Sequence, residues 1–197
     1  MRPRSAEIVA SASGPEGFPR AGLPEVALLG RSNAGKSSLL NRMVGRQRLA
    51  FASSKPGTTR LLHFYRVERP GRVLLLVDLP GYGWARVSRE ERDRWRTLIE
   101  GYLGKRPALR ACVLLQDLRR EVGDDELDLA AWLAERGIPV VVALTKADKL
   151  AASPRRRRAE LLAAAFGLPW ARVVATSAKS GEGMAELWKA IDAVLDA

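Results

Sequence analysis

From Glu25 onward the chain alternates short apolar runs with longer amphipathic stretches, the pattern of repeated strand and helix units. The run 26–29 meets a Gly-containing turn and then residues 36–44, which have helical composition. Runs 61–67 and 73–77 are β-rich, and the connection 68–72 with Pro70 and Gly71 is short enough to make them an antiparallel hairpin. A helix is predicted around 89–103, a strand at 111–115, a helix around 124–136 and a strand at 139–144, which Pro139 can open without breaking a ladder. Ser153 and Pro154 read as the N-cap and first residue of the next helix, followed by a strand at 172–175 and a final helix. In that helix Met184, Leu187, Trp188, Ile191, Val194 and Leu195 share one face, as core residues do. Val140, Val141, Val142 and Ala143 form a nearly continuous apolar run, as a sheet covered on both faces requires. The expected fold is a three-layer α/β domain with a mostly parallel six-stranded sheet containing one antiparallel strand. Residues 1–23 are crowded with turn formers such as Gly14, Pro15 and Gly17, so they are expected to be an arm or edge element with a short strand near 7–10, leaving 24–197 as the domain.

With 197 residues, 47% of them hydrophobic, the chain can bury a core without staples, which excludes disorder throughout. A single cysteine, Cys112, excludes an internal disulfide and reads as a small core residue. No apolar run is long enough to span a bilayer and residues 1–13 lack an apolar signal core, so a cytoplasmic protein is expected. Because His63 is the lone histidine, a His-based metal cluster is excluded, leaving it a strand or switch-edge role. Trp95, Trp132, Trp170 and Trp188 read as packing residues. The formal net charge of +11 suggests a polyanionic partner. Most of the cations are Arg, however, which a GC-rich genome would also produce.

Gly30-Arg31-Ser32-Asn33-Ala34-Gly35-Lys36-Ser37 fits G-x-x-x-x-G-K-[ST] between a predicted strand and a predicted helix, the context that marks a P-loop; Ser38 continues it. Its glycines let successive backbone N–H groups converge on phosphate oxygens while the helix adds the positive end of its dipole. Lys36 would bind the β and γ phosphates and Ser37 would ligate Mg²⁺. The alternative is an ordinary strand-to-helix turn. Asp78-Leu79-Pro80-Gly81 ends the run 73–77, a Walker B position. Thr145-Lys146-Ala147-Asp148 and Thr176-Ser177-Ala178-Lys179 also follow strands directly, at the edge where open α/β sheets bind ligands.

This order of motifs resembles the translation-factor-related GTPases, whose fold is the Ras-like G domain of the P-loop NTPases. The resemblance implies that Asp148 accepts hydrogen bonds from guanine N1–H and the exocyclic amine, that Lys146 lies along the base, and that the Ala178 N–H reaches O6. More narrowly, the stretch Gly30 through Lys36-Ser37-Ser38-Leu39-Leu40-Asn41, then Lys55-Pro56-Gly57-Thr58-Thr59, Asp78-Leu79-Pro80-Gly81-Tyr82-Gly83 and Thr145-Lys146-Ala147-Asp148 resemble the EngB (YihA, YsxC) family of bacterial GTPases, over about residues 25–195. That resemblance implies GTP hydrolysis to GDP and phosphate, with assembly of the large (50S) ribosomal subunit and normal cell division as the setting. It implies GTP/GDP and Mg²⁺ as ligands, with Ser37, Thr59 and Asp78 on the metal and Lys36, Thr59 and Gly81 at the chemistry. Contacts to the nucleotide would come from Gly30 to Ser38, Gly57, Thr58, Thr59, Asp78, Gly81, Thr145, Lys146, Asp148, Ser177, Ala178 and Lys179. Pro-Gly-Thr-Thr-Arg departs from the family pattern of Arg before the Thr and Gln after it, so Thr58 competes with Thr59 for the metal. The partner would be the large subunit or its precursor, with no membrane, and a monomer is expected.

Where many relatives have a water-orienting Gln after D-x-x-G this chain has Tyr82, which implies slow intrinsic hydrolysis. Asn33 is a candidate K⁺ ligand that would supply the missing charge; alternatively it caps the loop. Thr59 and Gly81 can bond a γ-phosphate only while it is present, so segments 48–60 and 81–88 are expected to switch. Tyr82 and Trp84 would then be shown or hidden beside Arg86, Arg89, Arg92, Arg94 and Arg96, a set suited to stacking on bases unless Glu90, Glu91 and Asp93 neutralise it. Arg155 to Arg158 lie at a helix start, where cations are disfavoured, which suggests a polyanion contact or else a solvated face. Two rivals remain at this point: a P-loop ATPase or nucleotide kinase, against which Asp148 and Ser177-Ala178-Lys179 argue, and a non-catalytic RNA-binding module, which Tyr82 leaves open.

Overall fold

The computed structural model describes residues 3–20, 22–50, 61–82 and 89–197. Its strands are β1 (Ser5–Ala12), β2 (Glu25–Gly30), β3 (Leu62–Arg69), β4 (Arg72–Asp78), β5 (Leu109–Asp117), β6 (Val140–Thr145) and β7 (Val173–Ala175). Its helices are α1 (Lys36–Val44), α2 (Arg89–Lys105), α3 (Asp124–Glu135), α4 (Ala152–Phe166) and α5 (Met184–Leu195). One sheet runs in the order β1-β3-β4-β2-β5-β6-β7. Only β3 opposes the others, because β1 and β4 both pair with it antiparallel while every remaining pair is parallel. The mixed three-layer architecture is as expected, with seven strands among the described residues rather than six: the N-terminal segment forms a full edge strand from Ser5 to Ala12, beyond the short stretch near 7–10.

Helices on both faces explain why the central strands are apolar at successive positions. In β2, Ala27 and Leu29 enter the core beneath α2, α3 and α4, while Val26 and Leu28 enter the one beneath α1 and α5. β6 divides likewise, Val142 and Leu144 to one side and Val141 and Ala143 to the other. The predicted stripe of α5 is buried at Leu187, Trp188, Ile191 and Val194 and seals the second face. Trp170 departs from expectation: it is 55% exposed, beyond the end of α4, so it is not a packing residue. Cys112 is buried, as a small core residue would be.

α4 begins before the Ser-Pro pair. Its N-cap is Ala151, and the first intrahelical bond runs from Arg155 N–H to the Ala151 carbonyl at 3.0 Å. Pro154 therefore falls within the first turn, where a missing N–H costs no helical bond. The reading of Arg155 to Arg158 changes with the structure too. Arg155 pairs with Glu182, Arg158 with Glu121 at 2.6 Å and Arg156 with Glu160 at 3.0 Å. Carboxylates of the chain itself thus account for three of the four cations without an external anion.

Candidate functional site

The order β4-β2-β5 places β2 at the point where connections diverge to the two sides of the sheet, the location at which open α/β sheets bind ligands. β2 ends at Gly30, the chain turns with Asn33 and Gly35 at φ of 66° and 94°, and α1 starts at Lys36. Gly35 supplies the left-handed geometry that other residues resist. Among the described residues, no acceptor meets the backbone N–H groups of Gly35, Lys36, Ser37 and Ser38, whereas the next, Leu39 N–H, bonds the Gly35 carbonyl at 2.8 Å. Four unpaired donors at a helix N-terminus form an anion cradle.

Asp78 ends β4, opposite Leu28 of β2, and its carboxylate is ion-paired with Lys36. Ser37 in the first turn of α1 and Asp78 at the end of β4 both carry hard oxygen donors, a donor set that fits Mg²⁺. Three residues on, Gly81 lies so close to the P-loop that a Cβ there would stand 3.1 Å from Ser32 N, so only glycine fits without displacing backbone. Tyr82 is stitched to the same loop: Ser32 N–H donates to its carbonyl at 2.8 Å and its own N–H to the Gly30 carbonyl at 3.3 Å.

The other two motifs face the same cleft of about 1060 Å³, whose lining includes Gly35, Ser38, Lys146, Asp148, Ala178 and Lys179. Asp148 sits just past β6, and Ser177 Oγ donates to its Oδ1 at 2.7 Å. That bond, first among several contributions, holds the Asp148 carboxyl below its ordinary value of 3.8. Ser177 is fully buried, so it orients Asp148 from below; Ala178 and Lys179 reach the cleft. Thr145 is buried as well, and its hydroxyl donates to the Ala34 carbonyl at 2.7 Å, tying the end of β6 to the P-loop. Lys146 takes a left-handed conformation, φ 62°, and its ammonium reaches the Asn33 carbonyl at 2.8 Å and Asp117 at 2.9 Å. Strained backbone of this kind persists where surrounding bonds over-determine it. Gly57, Thr58, Thr59, Trp84 and Arg86 lie outside the described residues, as do the side chains of Arg89, Arg92, Arg94 and Arg96.

The sequence model of a family described as 50S ribosome-binding GTPase matches residues 25–146. An EngB GTP-binding protein of Geobacillus kaustophilus is 44% identical over 97% of both chains, and one of Desulfatibacillum aliphaticivorans is 43% identical over 95% of this chain and 90% of its own. The chain belongs to the EngB family of GTP-binding proteins. A crystal structure of an EngB protein superposes with a TM-score of 0.69 at 25% identity, covering 87% of this chain and 98% of that one. EngB membership brings a GTPase domain, which sets aside the ATPase and kinase alternative.

Within this EngB chain, two groups to which the sequence reading gave no role are built into the site. Asp117 ends β5 and is 5% exposed. Burial alone would raise its carboxyl, but hydrogen bonds from Arg119 and Lys146 outweigh burial and hold it well below the usual range. A carboxylate at the end of a strand was the signal available, the same one that marks Asp78. Asn41 of α1 is the other: its Oδ1 accepts the N–H groups of Leu49 and Ala50 at 2.9 and 2.8 Å, and its amide donates to the Ala50 carbonyl. It pins the chain immediately before residues 51–60. Arg42 adds a link from α1 to the Ser177-Ala178-Lys179 loop by donating to the Ser180 carbonyl at 2.8 Å. His63 lies in β3 opposite Asp78 and shares a 2.8 Å hydrogen bond with Ser11 of β1, the strand role of the two expected for it.

Proposed function

We propose that this chain is a guanine-nucleotide switch that hydrolyses GTP to GDP and phosphate and acts in the cytoplasm, as a monomer, on the large ribosomal subunit or its precursor, and that normal cell division requires it. The observation that carries the nucleotide part is one cleft lined both by Gly35 and Ser38, two of the P-loop residues whose N–H groups meet no acceptor among the described residues, and by Asp148, a carboxylate oriented by Ser177. Asp148 accepts from the two donors on the Watson–Crick edge of guanine, which adenine does not present together. The Ala178 N–H meets O6, and Lys146 covers the base. The N–H groups of Gly35 to Ser38 and the Lys36 ammonium hold the phosphates, and Gly81 N–H marks the third phosphate.

Ser37 and Asp78, with Thr59 or Thr58 beyond the described residues, would hold Mg²⁺, which when bound neutralises phosphate charge. Asn33 is the candidate ligand for K⁺, and equal single-turnover rates in KCl and NaCl would remove that role. Tyr82 cannot orient water as a Gln amide does, so intrinsic turnover is slow and rises on the partner.

The description of the matching family as ribosome-binding and the net charge of +11 support a large-subunit partner. Co-sedimentation with 30S, 50S and 70S particles, in GDP and in a non-hydrolysable GTP analogue, tests it. Retention on 50S that depends on nucleotide is expected; equal retention on all three particles, or none, overturns the partner.

A further inference from the structure

An arginine of α1 heads a line of hydrogen bonds that ends in the loop after β7. Arg42, in the last turn of α1, donates from Nη2 to the Ser180 carbonyl at 2.8 Å. The peptide group of that carbonyl carries the Gly181 N–H, which donates to the Ser177 carbonyl at 2.8 Å. The Ser177 carbonyl in turn shares its peptide group with the Ala178 N–H, which meets no acceptor among the described residues, and Ala178 lines the cleft. Two peptide groups in series thus lead from a guanidinium to an unpaired donor at the ligand site.

The loop is shaped to receive that arginine. Gly181 has a φ of 87°, and a Cβ on it would stand 2.5 Å from Arg42 Nη2 and 2.8 Å from its Nε, so the guanidinium lies against a residue that leaves it room only as glycine. The loop also closes on itself. Ser177 N–H donates to the Glu182 carbonyl at 3.0 Å, and Ser180 N–H donates at 3.1 Å to Ser177 Oγ, the same hydroxyl that orients Asp148. Anything that moves Ser180 therefore disturbs both the Ala178 donor and the Asp148 acceptor. Arg42 fixes Ser180 to the helix whose N-terminus carries the phosphate cradle.

A peptide carbonyl that accepts a hydrogen bond polarises its own N–H into a stronger donor, and hydrogen bonds from a cation are stronger than neutral ones. Here every donor in the line points onward, from Arg42 toward the cleft. We propose that Arg42 is a positioning residue for base specificity: through the 180–181 and 177–178 peptide groups it aims and strengthens the Ala178 N–H that meets guanine O6. The inference rests on the reading of Ala178 as the O6 donor. It gives the phosphate-binding helix a share in reading the base.

The test compares GDP with 6-thio-GDP, whose sulfur accepts a hydrogen bond more weakly than O6, by calorimetry on the natural chain, Arg42→Ala and Arg42→Lys. Arg42 is exposed and Ala favours helix, so the variants should fold. The natural chain should prefer GDP. Arg42→Ala should bind GDP about threefold to tenfold more weakly, the weight of one hydrogen bond, and 6-thio-GDP should lose less, so that the preference shrinks. Arg42→Lys keeps the charge and a donor and should recover most of the preference. An equal loss for both ligands, as from a merely structural residue or one that touches the phosphates directly, overturns the proposal. So does no loss for either, or a Lys variant no better than the Ala one. With GDP preferred by the natural chain, those results count against Arg42 alone; a natural chain that binds both ligands equally removes the Ala178 reading and the proposal with it.

Discussion

Ser177 Oγ donates a 2.7 Å hydrogen bond to Asp148 Oδ1, and the two residues come from different loops, one after β7 and one after β6. The bond fixes the direction in which the carboxylate presents its acceptors. Ser177→Ala should weaken GDP binding about tenfold, the size of one hydrogen bond to a charged group, and should narrow the preference for guanine over adenine. The pH profile separates orientation from ionisation. A carboxyl held below 3.8 is already ionised at pH 5, and losing Ser177 moves it only back toward 3.8. Calorimetry from pH 5 to pH 8 should therefore show a loss in the variant that does not change across this range through Asp148.

Lys146 is held over the P-loop by Asp117, which predicts a role for a residue with no motif of its own. Asp117→Asn should release the ammonium and raise the GDP dissociation rate about five- to tenfold, measured with a labelled nucleotide. The sign of the stability effect follows from the lowered carboxyl. A group whose pKa falls on folding stabilises the native state above its unfolded value and loses that effect as pH drops toward its folded one. The melting temperature of the variant should thus lie below that of the natural chain at pH 7, and the gap should close as the pH falls below about 3.8.

At the opposite end of β2 from the P-loop, Glu25 is fully buried, accepts the Tyr102 hydroxyl at 2.8 Å and is gripped by Arg106 through Nε at 3.0 Å. Removing one partner of such a pair leaves a buried charge without its cation. Arg106→Ala should cost about 3 kcal/mol or more in denaturant unfolding. Because the cluster joins β2, α2 and the Pro19 carbonyl and touches no residue of the cleft, GDP affinity in the folded variant should be unchanged.

The parts of this fold legible in the sequence are those governed by local pattern. Apolar runs marked the central strands because helices cover both faces, and the α5 stripe marked a helix because one face alone is buried. β1 was legible only in its middle, since Ile8 and Val9 are about half exposed on an outer strand and the alternation is broken by a register shift between Ile8 and Ala10. In the site, glycines and motif carboxylates were legible because backbone geometry restricts the residue type. Glu126 was not, since an acid in the first turn of a helix reads as ordinary dipole complementarity until Arg31 of the P-loop is brought to within 3.7 Å of it through space. Arg155 and Arg158 failed for the same reason: Glu182 and Glu121, which neutralise them, are distant in the chain.

That pairing changes which arginines can report on a polyanion. Arg155 also donates to the Leu150 carbonyl, and its partner Glu182 accepts the Ser177 N–H through its own backbone carbonyl, so its removal would disturb the loop that orients Asp148. Arg158 is similarly engaged, donating to the Leu118 carbonyl. Arg156 is 82% exposed and paired only with Glu160 one turn on, a surface pair of little energetic weight. Arg157 is exposed, and among the described residues no carboxylate pairs with it. The informative variant is therefore Arg156→Gln/Arg157→Gln, with Arg155 and Arg158 left in place. If this face meets ribosomal RNA, its retention on 50S particles should fall and the slope of log affinity against log salt should flatten by about 1 to 2, one unit for each phosphate that is no longer neutralised. GDP affinity should not move, since neither side chain touches the cleft. An unchanged salt slope would place the ribosomal contact on another face of the domain.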